Sequence, residues 1–234
     1  MAKKKTSGLS ESLIRYLSHE LKSPLAKMEM SLDLYEKAFK TDDGRHAQKR
    51  AEVYDSLINN IHRLKHNMQN VLDLFSVNYG HIKLRKDDVK LRELVLRALG
   101  EVKETAERKD IRLESSISRN IPSVPGDSQK IYNVLLNLLD NAVKFTDKGC
   151  VKISVRTLPS QVRVSVSDTG IGLDADSGHT NGPFAPFAER VEKHASPGIG
   201  LLLCRDIIER HGGEIRAKSK GRNKGAIFSF TLPV

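Results

Sequence analysis

Tryptophan is absent from this 234-residue chain, and phenylalanine and tyrosine bring the aromatic share only to 5%. A protein so poor in flat side chains offers no visible platform on which nucleic-acid bases can stack. Long apolar runs are missing too, since no stretch approaches the roughly 18 residues that a membrane-crossing helix needs. The opening Met1-Ala2-Lys3-Lys4-Lys5-Thr6-Ser7-Gly8 lacks the apolar region of a secretory signal, so a cytoplasmic setting is expected. Only two cysteines occur, Cys150 and Cys204, in strand-like and helix-like surroundings without metal-ligand spacing. Buried free thiols are expected there rather than a disulfide. Internal repeats and low-complexity tracts are likewise missing.

What is plentiful is positive charge. Lysine and arginine number 39 against 29 acidic residues, for a formal net charge of +10. The cations are scattered, with short clusters only at Lys3 to Lys5 and Lys218 to Lys224. With aromatics scarce, no nucleic-acid partner is expected, and an acidic protein surface suits the same charge. A hydrophobic share of 38% is that of a globular protein, and the length allows one large or two small domains.

The first third reads as two amphipathic helices. In the first, from about Leu9 to Phe39, the apolar steps Ile14, Leu17, Leu21, Leu25, Met28, Leu32 and Tyr35 alternate spacings of three and four. After the polar break Lys40 to Arg45, the second runs from about Gln48 to Val77, with Val53, Leu57, Ile61, Leu64, Met68, Val71 and Phe75 as its stripe. Two narrow stripes make a hairpin whose apolar seam needs cover. A second copy supplies it in a dimeric four-helix bundle, the fold expected for residues 1–79.

His19 lies between Leu17 and Leu21 and therefore points away from that stripe. Glu20 beside it can hydrogen-bond one ring nitrogen, fix the tautomer and take its proton, leaving the other nitrogen nucleophilic. Pro24 removes a backbone donor inside the helix and should kink it just after His19.

From Asn78-Tyr79-Gly80 onward short strands alternate with helices. Strands are expected near Val89 to Leu91, at Ile111 to Ile117, at Val151 to Thr157 hairpinned with Gln161 to Ser167, at Glu214 to Ser219 and at Ala226 to Leu232. Helices are expected at Arg92 to Lys109, Asp127 to Phe145 and Gly200 to His211. Helices packed on one mixed sheet make residues 80–234 an α/β sandwich.

Three short motifs fall on this second part. Asn137 and Asn141 are one turn apart on a helix and share a face with Lys144, offering two neutral oxygens and a cation, as suits Mg2+ and the phosphates it bridges. Asp168 ends a strand and is followed by Gly170 and Gly172, so a carboxylate that can accept from an exocyclic amine sits beside a loop able to approach a ligand closely. Gly198 and Gly200 open a helix, whose free N–H groups suit phosphate.

In this order the motifs resemble the phosphoacceptor, N, F and two glycine boxes of sensor histidine kinases, with Phe184 and Phe187 resembling the F box. The kinase ATPase domain has the Bergerat-type ATP-binding fold shared with gyrase, Hsp90 and MutL. The resemblance implies ATP and Mg2+ as cofactors. It implies His19 as phosphoacceptor assisted by Glu20, with Ser23 able to help hydrolyse a phosphorylated partner. Asp168 would then recognise the adenine amine, Asn141 the magnesium ion, and Asn137 and Lys144 the phosphates or their ion. Phe145 would pack near the base or ribose, and Gly170, Gly172, Gly198, Gly200 and Leu201 would shape the pocket.

The resemblance further implies a homodimer that passes phosphate to the receiver domain of a response regulator. Membrane attachment would come only through a sensor region outside these residues. The ATP-hydrolysing relatives carry glutamate where Asn137 stands; an amide cannot take a proton from water, so ATP is kept for transfer. Ser196-Pro197 departs from the family's Gly-Thr, and an extra residue separates Phe187 from Arg190, where an arginine commonly meets the terminal phosphate. Those departures leave a nucleotide-binding scaffold without transfer, or a regulator dominated by phosphatase activity, as the alternative expectation.

Overall fold

The computed structural model describes residues 87–173 and 199–234, together with Leu84, Arg85, Phe184 and scattered short runs between 25 and 68, the last all helical. Residues 82–190 and 198–234 form one of two compact units. Within it run β1 (Asp87–Val89), α1 (Leu91–Arg108), β2 (Ile111–Ile117), β3 (Val124–Gly126), α2 (Ser128–Lys144), β4 (Gly149–Leu158), β5 (Gln161–Asp168), α3 (Ile199–Arg210), β6 (Ile215–Ser219) and β7 (Ala226–Pro233).

Five strands form a mixed sheet in the order β2-β4-β5-β7-β6, in which only β2 and β4 are parallel. Period-two alternation sets its register. Val151, Ile153 and Val155 of β4 alternate with polar neighbours, and Ile153 and Val155 lie opposite Val166 and Val164 of β5. Those two valines in turn face Phe228 and Phe230 of β7. A one-residue slip would turn this whole set to water, so burial itself holds the pairing. The helices cover that apolar face. Leu91, Val95, Ala98, Val102 and Ala106 of α1 recur every three or four residues and are buried, as are Ile131, Leu135, Leu138 and Leu139 of α2. One core results, between a helical layer and a sheet.

The helix expected at Asp127 to Phe145 is bounded by those two residues as its caps. Both side-chain oxygens of Asp127 accept backbone donors: Oδ1 from Gln129 and Lys130 at 3.1 and 3.0 Å, Oδ2 from Arg85 at 3.1 Å. Such a cap typically contributes ~1 kcal/mol.

Two expectations need correction. Leu91 begins α1 and lies fully buried in its core stripe, so the strand before it ends at Val89. The strand β3, which pairs antiparallel with β1 around Pro125, was not anticipated, because three residues carry too little alternation to read. The hairpin at 1–79 lies largely outside the described residues. Among the described residues, no helix is long and apolar enough to cross a membrane.

Candidate functional site

Three elements converge on one region. Helix α2 brings Asn137, which is 9% exposed, and Asn141 one turn on; the Asn141 Nδ2 donates to the Asn137 Oδ1 at 3.0 Å. Helix α3 brings Gly200. A side-chain carbon built there would lie 2.3 Å from the Asn137 Nδ2 and 2.7 Å from its Oδ1. Glycine at this position therefore lets the start of α3 close onto the amide of Asn137.

Strand β5 ends at Asp168, half-buried, with Oδ1 accepting the N–H groups of Gly170 at 2.9 Å and Ala226 at 3.2 Å. Among the described residues no donor reaches its other oxygen. Burial raises the carboxyl above its ordinary range, and the two backbone donors pull it part of the way back. The loop after it is pressed against the end of α2: Ile171 N–H donates to the Phe145 carbonyl at 3.1 Å, and a Cβ on Gly170 would lie 2.1 Å from that same oxygen. Gly172, with Ile171, Arg222 and Asn223, lines a cavity of about 350 Å³ beside this loop.

The arrangement offers a partly desolvated carboxylate, a pair of neutral amides and the N-terminus of a 12-residue helix. Such a set can accept from an amine at one end and meet anionic oxygens at the other. Lys144 is exposed at the end of α2, its Nζ 5.4 Å from the Phe145 ring centroid, while Phe145 itself is 39% exposed. Leu201 packs partly buried against the core.

Comparison with known proteins fits this geometry. Residues 126–234 match the family described as histidine kinase-, DNA gyrase B-, and HSP90-like ATPase. The chain is 30% identical over 229 residues to the adaptive-response sensory kinase SasA of Gloeothece citriformis, covering 96% of this chain and 58% of that protein. It is also 30% identical to the sensor protein KdpD of Clostridium acetobutylicum, covering 96% of this chain and 25% of that one. A crystal structure of full-length ShkA in complex with AMPPNP is similar over 95% of this chain and 45% of that chain, with 26% identity and a TM-score of 0.64. The chain carries a sensor histidine kinase ATPase domain. It spans less than two thirds of the length of the curated relatives.

Within this ATPase domain the residues present fit a magnesium ion. With its Nδ2 spent on Asn137, Asn141 keeps an oxygen that has no hydrogen bond among the described residues. One neutral oxygen suits an ion that takes its remaining ligands from phosphates and water. Among the described residues no cluster of three or more His, Cys, Asp or Glu side chains could hold a metal on its own.

His19, Glu20, Ser23, Phe187, Arg190, Ser196, Pro197 and Gly198 lie outside the described residues. Phe184 is buried and meets the Phe228 ring edge-on, with centroids 6.0 Å apart. Neither cysteine is in a disulfide; Cys204 is buried and burial pushes its thiol well up, whereas Cys150 is only half-buried.

Several contributors to the site escaped the sequence reading. Ala226 supplies a donor to Asp168 from β7, and Thr169 Oγ1 accepts the Cys150 N–H at 3.0 Å, fastening the glycine loop to β4. Thr146 is fully buried against Gly170. Backbone donors carry no sequence signal; the glycines at 170 and 172 were the available hint of close backbone approach there.

Proposed function

We propose that this chain is the core of a two-component sensor histidine kinase. In this reading residues 80–234 bind ATP with Mg2+, and residues 1–79 form the dimerisation and phosphotransfer domain. A nitrogen of His19 attacks the terminal phosphorus of ATP while Glu20 takes the ring proton. The bond from that phosphorus to the bridging oxygen breaks, ADP leaves, and the phosphoryl group remains on the histidine. Asp168 accepts from the adenine amine, and Phe145 flanks the base. Asn137, Asn141, Lys144 and Gly198, with the start of α3 at Gly200 and Leu201, surround the phosphates. Magnesium, when bound through Asn141, neutralises phosphate charge. Catalysis of this kind is mainly positioning and charge neutralisation.

The observation that carries the reading is the neutral Asn137–Asn141 pair wedged against Gly200, on the same helix that ends at the loop of Asp168. A carboxylate in place of Asn137 would activate water; an amide spares ATP for transfer. Leu25, Leu32, Ile61 and Met68 of the two apolar stripes are 46–51% exposed in the single chain. That exposure supports a second copy covering them in a four-helix bundle. The phosphoryl group then passes to an aspartate on the receiver domain of a response regulator, for which the basic balance of the chain is suited.

Incubation of the full chain with γ-labelled ATP and magnesium tests the reading. Acid-labile label is expected on the wild type and none on His19→Ala, with nucleotide affinity unchanged. Label retained on His19→Ala removes that histidine as acceptor, and a monomer by sedimentation at tens of micromolar removes the bundle.

A further inference from the structure

Lys109 follows the last residue of α1, yet its side chain serves another helix. Its Nζ donates to the carbonyl oxygens of Val143 at 2.9 Å, Lys144 at 3.1 Å and Thr146 at 3.0 Å. An ammonium has three protons, and three acceptors converge on it. Among the described residues no carboxylate competes for it. The carbonyls of Val143 and Lys144 belong to the last turn of α2, which has no intrahelical donors left for them. The charge also opposes the negative end of the helix dipole.

The turn so held is also the seat of the glycine loop. Phe145, between two of the anchored carbonyls, accepts the Ile171 N–H, and Gly170 is in contact with both the Phe145 carbonyl and the Thr146 side chain. Gly170 in turn donates to Asp168. A continuous path of hydrogen bonds and contacts therefore runs from Lys109 through the turn at 143–146 to the loop at 170–171 and the half-buried carboxylate of Asp168. Val143 and Thr146 are buried beneath the Lys109 side chain, so removing the ammonium takes the partner from two carbonyls in a largely covered turn.

We infer that Lys109 is a positioning residue for the adenine end of the nucleotide site, acting through the α2–β4 turn. The inference rests on the nucleotide-site reading above. Without the ammonium the three carbonyls repel one another and the turn relaxes. The glycine loop and Asp168 then lose their fixed separation from α2.

The test uses the full chain with Lys109→Met and Lys109→Arg. Calorimetry with ADP and ATP should show both nucleotides weakened about tenfold by Lys109→Met. The autophosphorylation KM should rise correspondingly, and kcat should change less than twofold. Lys109→Arg keeps a cation with several donors and should recover affinity to within about threefold. In 15N-resolved spectra of Lys109→Met without nucleotide, the amide signals of Gly170 and Ile171 should move or broaden. Were Lys109→Met not to fold, Lys109→Gln, whose amide retains a donor, is read by the same criteria.

A lowered melting temperature with KM and both affinities within twofold of wild type overturns the inference and leaves Lys109 a structural strut. A loss that is larger for ATP than for ADP and vanishes in high salt overturns it as well, since Lys109 would then act on phosphate by charge. Absence of ADP binding to the wild type overturns the nucleotide reading itself, and this inference with it.

Discussion

Gly200 faces the amide of Asn137 so closely that a methyl group on it would come within 2.3 Å of Nδ2. The backbone of α3 at its start thus rests directly on the Asn137 side chain of α2. Alanine is the better helix former by roughly 1 kcal/mol, so Gly200→Ala favours α3 on propensity alone. The methyl nevertheless has to displace an amide that is already bonded to Asn141.

The expected outcome for Gly200→Ala is a melting temperature close to that of the wild type with nucleotide affinity reduced at least tenfold by calorimetry. Unchanged affinity would separate the Asn137 amide from the nucleotide site. A large drop in melting temperature would instead mark the contact as structural.

His211 provides the opposite case, a polar side chain built into the frame. Its Nε2 lies 2.9 Å from the N–H of Asp127, which can only donate, so Nε2 is the acceptor. The ring proton therefore sits on Nδ1 and is given to the Ile207 carbonyl at 2.7 Å. The imidazole ties the end of α3 to the cap of α2 in one tautomer. His211→Phe keeps the bulk and strands a buried donor, at a cost of about 1–3 kcal/mol. Thermal melting should fall by several degrees, and ADP affinity measured well below the transition should stay within twofold. A melt like that of wild type would mean that water takes over the Asp127 N–H.

What could be read beforehand was what repeats locally. The 3.6-residue stripe of α2 and the alternation of β4, β5 and β7 gave those elements to within a residue or two, because each buries a single face. The paired asparagines and Asp168-Thr169-Gly170 were visible because chemistry at short range needs them adjacent. Lys109 and its carbonyl partners are brought together only by the packing of α1 on α2. The same holds for Ala226 N–H on Asp168 and for Gly200 against Asn137. These contacts depend on which elements become neighbours, and no local pattern records that. Leu91 was misassigned for a related reason: one buried apolar residue at a strand–helix boundary fits either period.

Asp168 separates stability from binding most sharply. Burial raises its carboxyl in the folded state, so the native protein holds that proton more tightly than the unfolded chain does. The sign follows directly. As pH climbs through the ordinary carboxylate range the unfolded chain ionises first, and the contribution of this group to stability is lost as pH passes the raised native value. At neutral pH the ionised form is therefore a net cost to the fold without nucleotide. Asp168→Asn removes the charge while an amide oxygen can still accept the N–H groups of Gly170 and Ala226. The variant should accordingly melt at or above the wild-type temperature at pH 7, with the difference shrinking as pH falls into the acid range. Adenine nucleotide affinity should nonetheless drop about 10- to 100-fold, because the new NH2 presents a donor where the base offers an amine; that corresponds to about 1.4–2.8 kcal/mol. Scanning calorimetry across pH together with ADP titration reads both quantities. A variant that melts well below wild type at pH 7 would show the carboxylate to be holding the glycine loop, and unchanged ADP affinity would remove it from the adenine site.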